Sequence, residues 1–283
     1  MTKGIKRRLQ ELSVEEKNAA GQELRTISLS HVRELAAESR LALRDVEIQA
    51  LRARILPRRY MRNLGTVGWD GQIALLQSTV GIVGAGGLGG WIIEGLGRIG
   101  VGRIIVIDSD VFEENNLNRQ AFCREADLGR PKADAARQRI AEVNGAVEVV
   151  AYRVRADEEQ MVQLLQGSNV LVDALDSLPT RLALQRAARR LQVPMVHGAI
   201  AGYVGQVMTI WPEDAGLYGL YGGDRVPEHG IEAQWGNPAA TPMMVAAWQV
   251  QEVVKLLTGR GEPLRHRLLF MDSEVGAVDI LQV

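Results

Sequence analysis

A single cysteine, Cys123, stands in 283 residues. It excludes an intrachain disulfide and any Cys-rich zinc site, and it fits a reducing compartment. Long apolar runs are also missing. No stretch reaches the ~18 uninterrupted apolar residues of a membrane span, and the opening M-T-K-G-I-K-R-R has no apolar core of a secretory leader. A cytoplasmic location is therefore expected. Net charge is −1, so nothing global points to nucleic acid or to a membrane. Internal repeats and low-complexity tracts are absent as well.

What is present supports a large core. Hydrophobic residues make up 46 % of the chain, and the length suits one large α/β domain with an appendage, or two small domains. Charge is uneven along the chain. Residues 1–62 hold 14 basic and 8 acidic side chains, a net of +6, and the remainder holds 19 and 26, a net of −7. Residues 1–56 read as a helical arm. In 30–56, Val32, Leu35, Ala36, Ser39, Leu43, Val46 and Ala50 fall near one face, with Ser30 as N-cap and Pro57 as the end. The arm packs on its own body, on a second subunit or on an acidic partner; DNA binding is the weaker reading.

Residues 80–108, V-G-I-V-G-A-G-G-L-G-G-W-I-I-E-G-L-G-R-I-G-V-G-R-I-I-V-I-D, read as strand, glycine turn, helix, strand and closing acid. Gly84, Gly86 and Gly89 have the G-x-G-x-x-G spacing that turns a strand into a helix N-terminus, leaving backbone N–H groups free for a phosphate. Asp108 ends the second strand, where a carboxylate can accept from both ribose hydroxyls. Helices follow at 132–143, 158–165 and 179–191. Strands follow near 147–152 and 169–175, then V-P-M-V-H-G-A-I. Residues 202–211 read as antiparallel sheet, 212–242 as a long Gly/Pro/Asp-rich loop, 243–257 as a helix and 267–281 as a final β pair. The fold class is α/β: a Rossmann-like nucleotide-binding domain over 57–283 whose mixed sheet is parallel first and antiparallel towards the C-terminus, preceded by the arm.

The residues after the glycine turn point away from hydride transfer. D-S-D-V-F-E-E-N-N-L-N-R-Q supplies Asp108, Asp110, Asn116, Asn118, Arg119 and Gln120, and G-R-P-K brings Lys132 to a helix start. These are cations and amides suited to a triphosphate. Asp176, at the carboxyl end of a later strand, is placed like a magnesium ligand. Together they suit nucleotidyl or phosphoryl transfer by positioning and charge neutralisation.

From about Arg58 onward the chain resembles the MoeB/ThiF/HesA family, the bacterial relatives of ubiquitin-activating enzymes. The resemblance rests on R-R-Y-M-R-N, W-D-G-Q, G-A-G-G-L-G, D-S-D-x5-N-L-N-R-Q, G-R-P-K, D-A-L-D-S-L-P-T-R, V-H-G-A-I-A-G-Y-V-G-Q-V and A-W-Q-V-Q-E-V-V-K-L-L-T-G, in family order. It implies an adenylyltransferase that uses ATP and Mg²⁺ to activate a carboxylate, commonly the C-terminal glycine of a ubiquitin-like sulfur-carrier protein. Carried over by position, Gly84, Gly86, Gly87 and Gly89 match the phosphate loop and Asp108 the ribose acid. Asp110, Asn116, Arg119, Gln120, Lys132 and Leu175 complete the nucleotide contacts, and Asp176 matches the acid needed for magnesium and catalysis. Arg62 matches an arginine inserted into a partner subunit's ATP site, which implies a homodimer. Arg62, Arg119, Lys132 and Asp176 form the implied catalytic set.

The chain departs from the family in two places. Leu217 and Leu220 stand where many members have the first zinc-binding C-x-x-C pair, so no zinc is expected. The 212–242 loop has no cysteine for a thioester, so an acyl-adenylate is the expected product and Cys123 reads as a packing residue. His197 reads as structural or substrate-lining, Tyr203, Gln206 and Trp211 as lining the acyl channel, and Arg181 as support for the Asp176 loop. Three readings stay open beside the sulfur-carrier one: adenylation of a small-molecule or peptide carboxylate, a non-catalytic scaffold, and an NAD oxidoreductase.

Overall fold

A computed structural model describes residues 3–283 except 224 and 229. The first two residues of the expected arm, and those two positions in the expected loop, lie outside the described residues. The large sheet has eight strands: β4 (Thr79–Val83), β5 (Arg103–Ile107), β6 (Glu148–Tyr152), β7 (Val170–Asp173), β8 (Met195–Ala201), β9 (Val204–Ile210), β10 (Arg267–Asp272) and β11 (Ala277–Gln282). Their order is β11-β10-β9-β8-β7-β4-β5-β6. Strands β6, β5, β4, β7 and β8 run parallel, and β9, β10 and β11 add antiparallel pairs, as the sequence predicts.

The apolar runs explain the layering. In β4 and β5, Val80, Ile82, Ile104 and Val106 enter one core, and Val83, Ile105 and Ile107 enter the other. A strand buried on both faces needs apolar residues at successive positions. Helices α4 (Leu64–Gln77), α5 (Gly87–Ile99), α6 (Lys132–Val143) and α11 (Ala240–Thr258) cover the first face; α7 (Glu158–Leu164), α8 (Leu178–Leu191) and α9 (Leu217–Tyr221) cover the second. The chain leaves β4 towards β5 and β6, then returns to β7 on the other side of β4. The carboxyl ends of β4 and β7 thus flank a topological switch point, where open α/β sheets bind ligands.

The N-terminal segment differs from the helical expectation. It holds α1 (Lys3–Leu12), α2 (Leu29–Ser39) and α3 (Leu43–Arg52), together with β1 (Val14–Lys17), β2 (Glu23–Ile27) and β3 (Leu56–Pro57) in a separate three-stranded sheet. The β1–β2 hairpin turns at Asn18, whose side-chain oxygen accepts from the backbone of Ala20 and Gln22. The strands V-E-E-K and E-L-R-T-I are mostly exposed and charged, so no apolar alternation announces them. The single face expected over 30–56 is cut where Arg40 adopts φ 57° as a C-cap. Val32, Leu35, Val46 and Ala50 nevertheless meet in one core. The N-cap is Ser28, which accepts from the His31 N–H at 3.2 Å, not Ser30. Helix α4 begins at Leu64 and is broken at Gly68 (φ 69°). The 212–242 loop contains α9 and the short α10 (Glu232–Trp235).

Candidate active site

The site begins where β4 ends. Gly84 has φ 98°, and a Cβ there would lie 2.3 Å from the Ala174 carbonyl oxygen; one on Gly89 would lie 1.9 Å from the Gly84 carbonyl oxygen. These two glycines let the turn fold against β7 and start α5. Gly86 differs. A Cβ there would meet only the Gln120 side chain, at 3.6 Å, so its bare backbone faces the cavity.

Gly84, Gly86, Gly87, Asp108, Asp110, Arg119, Gln120, Lys132, Leu175 and Asp176 line one cavity of about 490 Å³. Asp108 accepts from the Ala85 N–H at 2.6 Å and the Asp110 N–H at 2.8 Å. Burial pushes its carboxyl above its ordinary value, and those two donors and Lys132 pull it back. Lys132 is 9 % exposed and holds Asp110 at 3.0 Å. Arg119 is braced by the Asn115 carbonyl and the Asn118 side chain, both at 2.8 Å. Gln120 is buried, and its side-chain oxygen has no partner among the described residues. Asp176 is exposed and makes no hydrogen bond or ion pair among the described residues.

Four predicted residues, Gly89, Asn116, Asn118 and Arg62, do not line this cavity. Gly89 acts through the turn. Asn116 is buried and caps the short 3₁₀ helix Glu114–Asn116, accepting from the Glu113 N–H at 3.2 Å, and so shapes the loop that carries Arg119. Arg62 is exposed, between the 3₁₀ helix Arg58–Tyr60 and α4, and does not enter the cavity of its own chain.

Behind Asp176 lies a buried polar network. Arg181 donates to the Leu175 carbonyl from Nε (3.1 Å) and Nη2 (2.6 Å), which matches its expected support of that loop. The Leu175 N–H donates to Asp173 Oδ1 at 3.0 Å, and Asp173 Oδ2 lies 2.7 Å from His197 Nδ1. Both His197 and Asp173 are fully buried. Burial lowers the imidazole pKa against the pull of Asp173, so His197 serves the network as a neutral ring. Gln206 lies 3.2 Å from His197 Nε2, and reaches this network and not the cavity lining. Tyr203 and Trp211 do not line the cavity either.

Several lining residues carry no short motif. Asn237 and Glu228 come from the long loop. Glu228 accepts from the Ser177 hydroxyl at 2.8 Å, and the Asn237 carbonyl accepts from Asn118 at 3.2 Å. Arg155 joins them in the lining, as does Thr180 from the D-A-L-D-S-L-P-T-R motif. The unusual length of 212–242 was the available signal. Cys123 is partly buried, its thiol pushed up by burial and by Asp127, and it lies outside the cavity lining. Leu217 is buried in the second core and Leu220 packs against it. Among the described residues, no group of three or more His, Cys, Asp or Glu is placed to hold a metal, and no helix is long and apolar enough to cross a membrane.

A glycine turn at a switch point, an acid at the next strand end and two cations around an unpartnered amide define a nucleotide-binding α/β protein. The chain belongs to the ThiF family, whose sequence model matches residues 60–283. It is 39 % identical over 220 residues to the SAMP-activating enzyme E1 of Haloferax volcanii, covering 76 % of this chain and 81 % of that one. It is 36 % identical over 224 residues to the sulfur carrier protein adenylyltransferase of Thermus thermophilus, covering 76 % and 83 %. Among solved structures, E. coli MccB with ATP aligns with TM-score 0.66 at 20 % identity over 79 % of this chain and 71 % of that one. At that identity the likeness speaks for the fold.

Proposed function

We propose that this protein is an adenylyltransferase that uses ATP to activate the C-terminal carboxylate of a ubiquitin-like sulfur-carrier protein. The observation that carries the proposal is the convergence of Gly86, Asp108, Arg119, Gln120, Lys132 and Asp176 on one cavity at the switch point. Relatives above 30 % identity named for sulfur carriers or SAMP activation favour a protein carboxylate over a small one.

In the reaction a carboxylate oxygen of the substrate attacks the α-phosphorus of ATP. The bond from that phosphorus to the oxygen bridging to the β-phosphate breaks, pyrophosphate leaves, and no proton is transferred. Both reactants are anionic, so the protein must suppress repulsion and hold the attack in line. The bare backbone at Gly86 and the N-terminus of α5 receive phosphate oxygens. Arg119 and Lys132 neutralise charge on the triphosphate, Gln120 donates from its amide, and Asp108 accepts from the ribose. Asp176 is the residue that would hold Mg²⁺. An exposed carboxylate with no protein partner fits a cation that takes one or two carboxylates beside phosphate oxygens, and the ion supplies further charge neutralisation when bound. No cysteine lines the cavity, so the acyl-adenylate is released or handed on. The division of the chain at 56/57, absence of zinc and a cytoplasmic location belong to the same reading.

We further propose a homodimer in which Arg62 enters the ATP site of the second copy. Its exposure and its absence from its own cavity support this. The experiment for the main reading is ATP–pyrophosphate exchange with magnesium, run with and without sulfur carriers ending in Gly-Gly. Carrier-dependent exchange is expected. ATP binding without exchange on any carrier would overturn the protein-carboxylate reading in favour of a small carboxylate.

A further inference from the structure

The turn that carries Arg62 is gripped by the N-terminal unit, most of which lies outside the segment the family model matches. Four contacts make the grip. Strand β3 pairs in parallel with β2, Thr26 opposite Leu56 and Ile27 opposite Pro57. Arg58 Nη2 lies 2.8 Å from Glu16 Oε2 on the hairpin. The Tyr60 hydroxyl donates to Glu47 Oε2 on α3 at 2.9 Å, and Arg59 Nε lies 3.4 Å from Glu47 Oε1. The body closes the other side. Asn144 Nδ2 donates to the Tyr60 oxygen at 3.1 Å and to the Gly97 carbonyl at 3.0 Å, and Asn144 also accepts from Arg59. Three residues beyond Tyr60, the Asn63 side chain donates to Gln72 at 2.9 Å and to the Ile99 carbonyl at 3.2 Å.

The consequence is a fixed backbone on both sides of a free side chain. Glu47 and Tyr60 are 1 % and 0 % exposed, whereas Arg62 is exposed and has no hydrogen bond or ion pair among the described residues. A buried carboxylate is a costly way to hold two segments together when an apolar residue would pack without desolvation. Its return is directional: it fixes Arg59 and Tyr60 at one orientation, and hence the point from which the next turn leaves. An arginine that must reach a pocket in another subunit needs such a fixed base, because displacing a reacting group by ~1 Å costs up to about 10²-fold in rate.

We propose that the N-terminal unit is a clamp for the trans-acting arginine: Glu47, through Arg59 and Tyr60, sets the position from which Arg62 enters the ATP site of a second copy. Glu47 is a positioning residue. This inference rests on the reading of Arg62 as acting across a dimer.

The test uses full-length chains in mixed dimers with one working pocket, the other being dead through Asp176→Ala. The readout is ATP–pyrophosphate exchange with the Gly-Gly-ended carrier that supports it. Glu47→Ala is placed in turn on the subunit with the dead pocket and on the subunit with the working pocket, and Arg62→Ala is run in both arrangements as the reference. The clamp predicts a loss of about tenfold or more when Glu47→Ala sits on the dead-pocket subunit, whose Arg62 serves the working site. It predicts near-normal exchange in the opposite arrangement. A purely structural role has no such asymmetry. If Arg62→Ala shows the asymmetry and Glu47→Ala does not, the clamp is overturned and the shared site stands. If Arg62→Ala is damaging only on the subunit whose own pocket works, the shared site falls and the clamp with it. Should Glu47→Ala fail to fold, Tyr60→Phe removes the Tyr60 arm of the bridge, leaving Arg59 on Glu47, while keeping the ring in its slot against Gly100, and the same outcomes apply.

Discussion

Replacing Glu47 by Gln changes how stability depends on pH, and the size follows from the burial of this one carboxyl. Burial pushes the Glu47 pKa from its usual 4.5 up to about 7; Arg59 and the Tyr60 hydroxyl pull it down only in part. Below pH 4.5 both the folded and unfolded chains hold the proton. As pH rises from 4.5 to 7 the unfolded chain releases it while the folded chain keeps it, so the folded state loses ground with slope set by that proton. The contribution is fully present below 4.5 and is lost as pH rises through 7. At 1.36 kcal/mol for each pKa unit the loss is roughly 3 kcal/mol. Glu47→Gln has no proton to lose, and its amide oxygen still accepts from Tyr60. Urea unfolding of both proteins at intervals from pH 4 to 8 should therefore show wild type losing about 3 kcal/mol relative to the variant across that range. In thermal melts this is a relative shift of about 5–10 °C for a chain of this size. Parallel pH profiles for the two proteins would refute the reasoning, because they would mean that Glu47 is not buried as a shared acceptor between the arm and the body.

Three further outcomes test the site. Asp176→Ala should lower carrier-dependent ATP–pyrophosphate exchange by about 10²-fold or more, while its unfolding midpoint stays at the wild-type value because the side chain is exposed and unpartnered; normal turnover in this variant would remove the magnesium assignment. The glycines of the turn should separate. Gly89→Ala, whose Cβ would press on backbone at 1.9 Å, should destabilise the fold by about 3 kcal/mol or more, measured by urea unfolding. Gly86→Ala, whose Cβ meets only the end of Gln120, should fold normally and lose ATP affinity in a calorimetric titration. Cys123→Ser should keep full exchange activity, since the thiol is half-buried outside the cavity and raised in pKa; loss of activity in a folded Cys123→Ser protein would contradict a mechanism without an enzyme thiol.

Much of the site was legible because it is built from local chemistry. The spacing of Gly84, Gly86 and Gly89 reports a backbone turn that other residues cannot make. The unbroken apolar runs of β4 and β5 report strands buried on both faces. A polar residue straight after such a run, as with Asp108, stands at a strand end where ligands bind. These are properties of a few adjacent residues, so sequence carries them directly. The expected helix at 132–143 coincides with α6 for the same reason. The N-terminal hairpin carries no apolar alternation to announce it, because Glu15, Glu16, Lys17, Glu23 and Arg25 hold most of its positions and only Leu24, Thr26 and Ile27 are drawn towards the cores.

By itself, then, the sequence determined the α/β class, the glycine turn, the strand-end acids and the family, since each depends on residues adjacent in the chain or repeated in a fixed order. Only the tertiary structure decided which residues meet. It brought Glu228 and Asn237 from a loop without periodicity onto the rim of the nucleotide cavity, and it pinned the Leu175 peptide between Asp173 and Arg181 with His197 behind. It left Arg62 outside its own pocket and buried Glu47 against Arg59 and Tyr60. Those outcomes depend on contacts between segments far apart in the chain, and on desolvation that exists only once the core has closed around them.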